Sequence, residues 1–151
     1  MKTESVDYLL TRQCSRQWKG FLKALATEFS TQIDVPELRA LMNRVGTRFG
    51  IQTSLQPCVS VQEVQHAMNL IWNDMDWGWV EIEESERALS ITHFCSPISA
   101  AFGRDMQEWT TAFLEGVYQQ WLLALGASDS LRVRQVSQID EFGRIEFRLS
   151  L

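Results

Sequence analysis

His93 and Cys95 are the nearest approach to a reactive pair in this chain. Two residues apart on a strand, they would share one face. A thiol beside an imidazole is nucleophile chemistry, but it needs a third group to orient the base. None stands nearby in sequence, so a packed or surface histidine is the better reading. The other cluster is acidic: Glu81, Glu83, Glu84 and Glu86. Glycoside hydrolysis uses two carboxyl groups at a set separation, and Glu81 and Glu83 would share a strand face. Val80 and Ile82 alternate with them, which makes the pair the solvated side of that strand. His66 is the other histidine, and no Cys or His cluster has zinc-ligand spacing. No glycine-rich loop has phosphate-binding spacing; Leu125-Gly126-Ala127-Ser128 reads as a helix exit. No metal and no cofactor are expected.

Tryptophan is the conspicuous residue type. Trp18, Trp72, Trp77, Trp79, Trp109 and Trp121 make six in 151 residues. Flat rings can form platforms in a ligand pocket, with a few polar groups fixing orientation. Most of these tryptophans fall on helical stripes, which favours core packing. A small-molecule or lipid-binding module, with the Trp72–Trp79 corner as its pocket, is the alternative from another functional class.

Net charge is −5. An acidic chain argues against a general nucleic-acid binder, since phosphate contacts need clustered Lys and Arg. The charge is uneven. Residues 1–48 carry eight basic and five acidic side chains, whereas residues 60–91 carry seven acidic ones against Arg87 alone. Separate solvated faces are the plain reading of this split, and attraction between subunits is the other. Met1 to Gln13 has no apolar run of signal-peptide length, and no stretch reaches the ~20 apolar residues of a membrane span. Cys14, Cys58 and Cys95 are odd in number and have no CxxC spacing, as free thiols in a reducing cytosol would. A cytoplasmic location is expected.

The elements follow from periodicity. Residues 1–14 read as a flexible or partner-dependent arm, and 15–151 as one domain. A first helix over 15–31 has Trp18, Phe21, Leu22, Leu25 and Phe29 on one stripe. A second begins at an Asp34 cap, with Pro36 in its first turn and Gly50 as its stop. A third begins at Ser60, where Glu63 completes a capping box. At Asp76 to Gly78 the period changes from helical to alternating. Strands over 79–84 and 88–94 make a hairpin, and residues 95–104 a loop. A fourth helix, capped by Asp105, runs over 106–125. Its apolar positions cover roughly 220° of its circumference, where about 100° suffices against a single neighbour. That helix is therefore central to the domain or shared with another subunit. Strands over 131–137 and 144–151 close the chain. The order ααα-ββ-α-ββ implies an α+β domain with an antiparallel sheet.

Three stretches carry a resemblance. They are Asp76-Trp77-Gly78-Trp79-Val80-Glu81-Ile82, Ser90-Ile91-Thr92-His93, and Trp109 with Phe113-Leu114-Glu115-Gly116-Val117-Tyr118-Gln119-Gln120-Trp121-Leu122. With Leu41-Met42-Asn43-Arg44-Val45-Gly46-Thr47-Arg48-Phe49, they resemble the BcsD family, the D-type subunits of bacterial cellulose synthase, over nearly the whole chain. The resemblance implies a non-catalytic accessory subunit that forms a ring-like homo-octamer built from dimers. Interior passages are proposed to guide nascent β-1,4-glucan. It makes Trp77, Gly78, Glu115, Gly116, Tyr118 and Trp121 the structural motif residues. By position it places Lys2, Tyr8 and Arg12 along a glucan passage or partner contact. The implied partners are further copies of this chain and the subunits of the inner-membrane synthase complex. Lacking an export signal, such a protein would organise synthase units from the cytoplasmic side.

Overall fold

A computed structural model describes residues 3–151. Four helices come first: α1 (Thr3–Thr11), α2 (Arg16–Gln32), α3 (Val35–Gln52) and α4 (Val61–Asp74). The hairpin β1 (Trp79–Glu84) and β2 (Leu89–Phe94) follows. Next come a short α5 (Ile98–Phe102), a 3-10 turn at Arg104–Met106, α6 (Gln107–Thr110) and α7 (Ala112–Ala124). Strands β3 (Arg132–Gln135) and β4 (Ile145–Ser150) complete the order. The sheet is antiparallel throughout, in the order β1-β2-β4-β3. The fold class is the expected α+β.

Local chemistry sets the element ends. Ser15 caps α2, and the Asp34 carboxylate accepts from the Glu37 N–H to cap α3. At α4 the Ser60 hydroxyl accepts from the Glu63 N–H, and the Glu63 carboxylate accepts from the Val59 N–H, one residue before the usual partner. Helix α4 ends with Asp76 in the left-handed region (φ 58°), while Trp77 N–H reaches back to the Trp72 carbonyl.

Several expectations need correction. The segment read as an arm is helical over Thr3–Thr11, with no buried residue. Gly50 does not stop α3, which continues to Gln52. The loop after β2 holds α5, and Asp105 lies in a 3-10 turn and caps nothing. The fourth helix is broken at Thr111. Thr110 and Thr111 bond their hydroxyls back to the Met106 and Gln107 carbonyls, a habit that bends helices.

Helix α7 is the centre of the molecule. Ala112, Phe113, Leu114, Gly116, Val117, Tyr118, Trp121 and Leu122 are all buried. Its wide apolar girth is covered within the chain, by α3 on one side and the inner face of the sheet on the other. The main core joins α4, α7 and the sheet through Met68, Trp72, Ile91, Tyr118 and Phe147. A smaller core joins α2, α3 and α6 through Ala26, Leu38, Met106 and Trp109. Helix α2 is less well covered. Its expected stripe is split: Leu22, Leu25 and Phe29 are half-buried, but Trp18 and Phe21 are 58% and 57% exposed, and the one buried residue is Ala26.

Candidate functional site

The aromatic motif residues collect around one ring. Trp72 is fully buried and stacks on Trp77 at 5.6 Å and on Phe49 at 5.9 Å. Tyr118 and Trp121 meet it edge-on or tilted, at 6.1 and 5.2 Å. Trp121 donates its indole N–H to the Thr53 carbonyl at 2.7 Å, which ties α7 to the end of α3. Gly78 follows Trp77 at φ 81°, and an added Cβ there would lie 1.8 Å from the Phe94 carbonyl oxygen. The rings fill this corner with one another. The open cleft that borders this corner, about 450 Å³, is lined by Asn73, Asp76 and Gly78 and by no tryptophan.

His93 lies against this cluster and is completely buried. Its Nε2 is 2.6 Å from the Trp77 carbonyl oxygen. A carbonyl only accepts, so Nε2 carries the hydrogen. Nδ1 must then accept from the Tyr118 hydroxyl, 2.5 Å away. Burial pushes the imidazole down to about 4, and burial raises the Tyr118 phenol well above its ordinary value. Both groups are neutral and both are fully engaged. His93 therefore joins strand β2, helix α7 and the turn before β1, and it forms no dyad with Cys95. Glu81 and Glu83 project from the solvent face of β1, as their alternation with Val80 and Ile82 requires.

Glu115 and Gly116 sit side by side on α7 and do different work. Gly116 faces α3 so closely that an added Cβ would lie 2.0 Å from the Asn43 carbonyl oxygen. Glu115 pairs with Arg39 of α3, and its second oxygen accepts from the Gln135 N–H of β3 at 2.9 Å. Arg39 also donates to the Glu108 carbonyl. Glu115→Ala is expected to destabilise by about 2 kcal/mol, because it takes the carboxylate from the Arg39 guanidinium and leaves the Gln135 N–H without its acceptor. Urea unfolding at neutral pH checks this. A loss under about 0.5 kcal/mol would mean water replaces the carboxylate freely.

Sequence reasoning missed how the sheet edges are closed. On β1, the Val80 and Ile82 N–H groups donate to Asn69 Oδ1 and Gln65 Oε1 of α4, at 2.7 and 2.8 Å. On β3, the Val133 and Gln135 N–H groups donate to Gln119 and Glu115 of α7, at 2.7 and 2.9 Å. Each helix uses side chains four residues apart to satisfy N–H groups two residues apart. The match is geometric: one helical turn rises about 5.4 Å and two strand residues about 6.8 Å. Unpaired edges invite further strands, and these two are occupied. The sequence signal was a polar i,i+4 pair on an otherwise core-facing helix beside a strand.

Of the residues assigned to a passage or partner contact, Tyr8 lies on the outer surface of α1 and Arg12 just beyond its end. The Arg12 guanidinium is 5.4 Å from the Tyr8 ring centre. Lys2 lies outside the described residues. Among the described residues, no group of His, Cys, Asp and Glu is placed to hold a metal ion. No helix among them is long and apolar enough to cross a membrane.

These features define an α+β packing domain whose buried polar groups hold helices and strands together. The family follows from comparison with known proteins. The pattern defining the D-type subunit of cellulose synthase matches residues 4–150, and the chain belongs to that family. It is similar to the cellulose synthase operon protein D of Komagataeibacter xylinus, with 28% identity over 104 residues, or 68% of this chain and 67% of that protein. Membership places the chain in cellulose synthesis in an accessory capacity.

Proposed function

We propose that this chain is a non-catalytic building block that self-associates into a closed oligomer and holds cellulose synthase units in order. The observation that carries the proposal is the bare aromatic pair on α2. Trp18 and Phe21 pack edge to face at 5.9 Å while more than half of each remains in water. Tyr8 and Leu9 of α1 are similarly open. Each large apolar side chain left in water forgoes about 1.5–3 kcal/mol of burial. Aromatic side chains are also the residue type enriched in protein interfaces. The shared surface therefore sits on the N-terminal helices, and α7 takes no part in it.

Sedimentation tests the proposal. The wild-type chain is expected to run as a multi-subunit species, and Trp18→Glu with Phe21→Glu as a smaller one. Cells carrying that variant are expected to make disordered cellulose with glucosyl transfer retained. A wild-type chain that stays a monomer at high micromolar concentration would overturn the proposal. Loss of glucosyl transfer on removing the subunit would overturn the non-catalytic part.

A second reading gives the assembly a role in guiding β-1,4-glucan along the Tyr8–Arg12 segment. It is favoured by Arg12, which borders two open clefts of about 450 and 710 Å³. Arg12→Ala, which leaves the exposed apolar residues in place, is expected to weaken cello-oligosaccharide binding without changing oligomer size. Unchanged binding would remove this reading.

A further inference from the structure

We propose that the outer face of the sheet is a second, salt-sensitive interface, which pairs with the same face of another copy of this chain. The inference rests on the assembly reading above and names a different surface for it.

Helices α4 and α7 cover only one side of the sheet. On the other side the strand register lines up rows of side chains. One row crosses all four strands as Glu83, Ser90, Arg148 and Arg134. The next runs Glu81, Thr92, Glu146 and, beyond β3, Val136, whose N–H bonds to the Glu146 carbonyl. The face is therefore acidic along β1 and basic where β4 and β3 meet. Trp79 and Val136 open onto it, 42% and 46% exposed.

Arg134 and Arg148 are direct cross-strand partners. Like charges placed so are destabilising. Neither is in an ion pair among the described residues, and neither are Glu81 and Glu83. The chain thus carries a repulsive pair and an unneutralised acid pair on one flat surface. Within one copy the acid pair lies on the β1 edge, two strands from Arg148 and three from Arg134 on the opposite edge.

A two-fold axis parallel to the strands, set between two such faces, reverses the strand order and keeps each row at its level. Strand β1 of one copy then lies over β3 of the other. Glu83 meets the second copy's Arg134, and the same operation makes the reciprocal contact, as an isologous interface requires. Stacked sheets lie about 10 Å apart, a gap that a glutamate and an arginine reaching toward each other can span. Strand addition at the sheet edges is closed by Gln65, Asn69, Glu115 and Gln119, so the face is the sheet's open surface. With the α2 patch it gives the chain two unlike interfaces, one apolar and one ionic. Two independent contacts are what a dimer-based closed assembly needs.

Two charge-reversed full-length chains test this by sedimentation velocity. Glu81→Arg with Glu83→Arg turns the β1 edge basic, like the β3–β4 side; Arg134→Glu with Arg148→Glu turns the row-matched β3–β4 positions acidic, like β1. Each alone is expected to run smaller than the wild-type assembly. Mixed one to one, they are expected to regain its size, with association at least about tenfold tighter than either alone. The wild-type assembly is expected to step down in size between about 50 and 500 mM salt, since screening shortens the reach of exposed charges. Wild-type size in both variants, or no recovery on mixing, would overturn the inference. If a reversal variant loses its native circular dichroism, Glu83→Gln and Arg134→Gln with the same salt series decide the matter; their retaining the full low-salt size would overturn it too. Indifference of an assembled wild type to these changes defeats this interface alone. A wild type that is monomeric at every salt concentration defeats the assembly reading as well.

Discussion

Gly116→Ala is expected to cost at least about 3 kcal/mol of folding stability, at the upper end of the range for overpacking a core. Helices α3 and α7 cross with their backbones in contact. A Cβ at residue 116 would stand 2.0 Å from the Asn43 carbonyl oxygen, and one at residue 46 would stand 2.0 Å from that of Phe113. The obstructing atoms are main chain, so no rotamer change can relieve the clash. The helices must separate, which pulls Trp121 away from the Thr53 carbonyl and from Phe49 of α3. For a chain of about 150 residues this corresponds to a fall in Tm of roughly 6–12 °C. Gly46→Ala should match it, and the double variant should cost less than the sum, because a single separation relieves both clashes. Gly20→Ala is the control with opposite sign. Nothing lies within 4 Å of its added methyl group, and it sits inside α2. It should gain about 0.5–1 kcal/mol. Calorimetry of the three single variants settles it; equal Tm values for Gly116→Ala and wild type would mean the crossing is looser than the backbone contact implies.

This crossing also marks where the sequence stops being informative. The hairpins were legible because alternation reports a half-buried face directly. Val80 and Ile82 point in and Glu81 and Glu83 point out, as the pattern requires. The width of the apolar arc on α7 was legible too, but not its cause. A girth of that size fits an intrachain sandwich or an intersubunit contact equally well, and the structure shows the sandwich. Glycine is ambiguous in the same way. Gly50 resembles a helix stop, yet the helix runs through it because its bare face meets Gln120 of α7, where a Cβ would be only 3.0 Å from that side chain. A stop and a close approach draw on the same residue, and only the neighbouring element distinguishes them. Trp18 and Phe21 mislead in the opposite direction. Their spacing fits a buried stripe, and periodicity does not say whether the cover comes from the same chain.

The second large effect is a dependence on pH carried by one side chain. His93 is wholly buried, with its pKa lowered from 6.5 to about 4, chiefly by burial, while the bond to the Trp77 carbonyl works weakly the other way. Above pH 6.5 the imidazole is neutral in both folded and unfolded chains, and its contribution is fully present. As the pH falls below 6.5 the unfolded chain takes up the proton first, so stability drains away until the folded form also protonates near pH 4. The difference corresponds to about 3 kcal/mol lost across that window. Carboxylates begin to titrate at its lower end, so the wild type alone cannot isolate the effect. His93→Gln supplies the comparison: it keeps an amide donor and acceptor for the Trp77 carbonyl and the Tyr118 hydroxyl but cannot ionise. At about pH 7.5 the variant should be less stable than wild type, through imperfect packing. At about pH 4.5 most of that deficit should be gone, because only the wild type bears the cost of keeping the proton off. A stability gap that stays constant between the two pH values, measured by urea unfolding, would show that His93 is reached by water and protonates in place. Narrowing of the gap would establish the imidazole as a neutral bolt between β2, the turn before β1 and α7, and would tie the integrity of the central helix to pH.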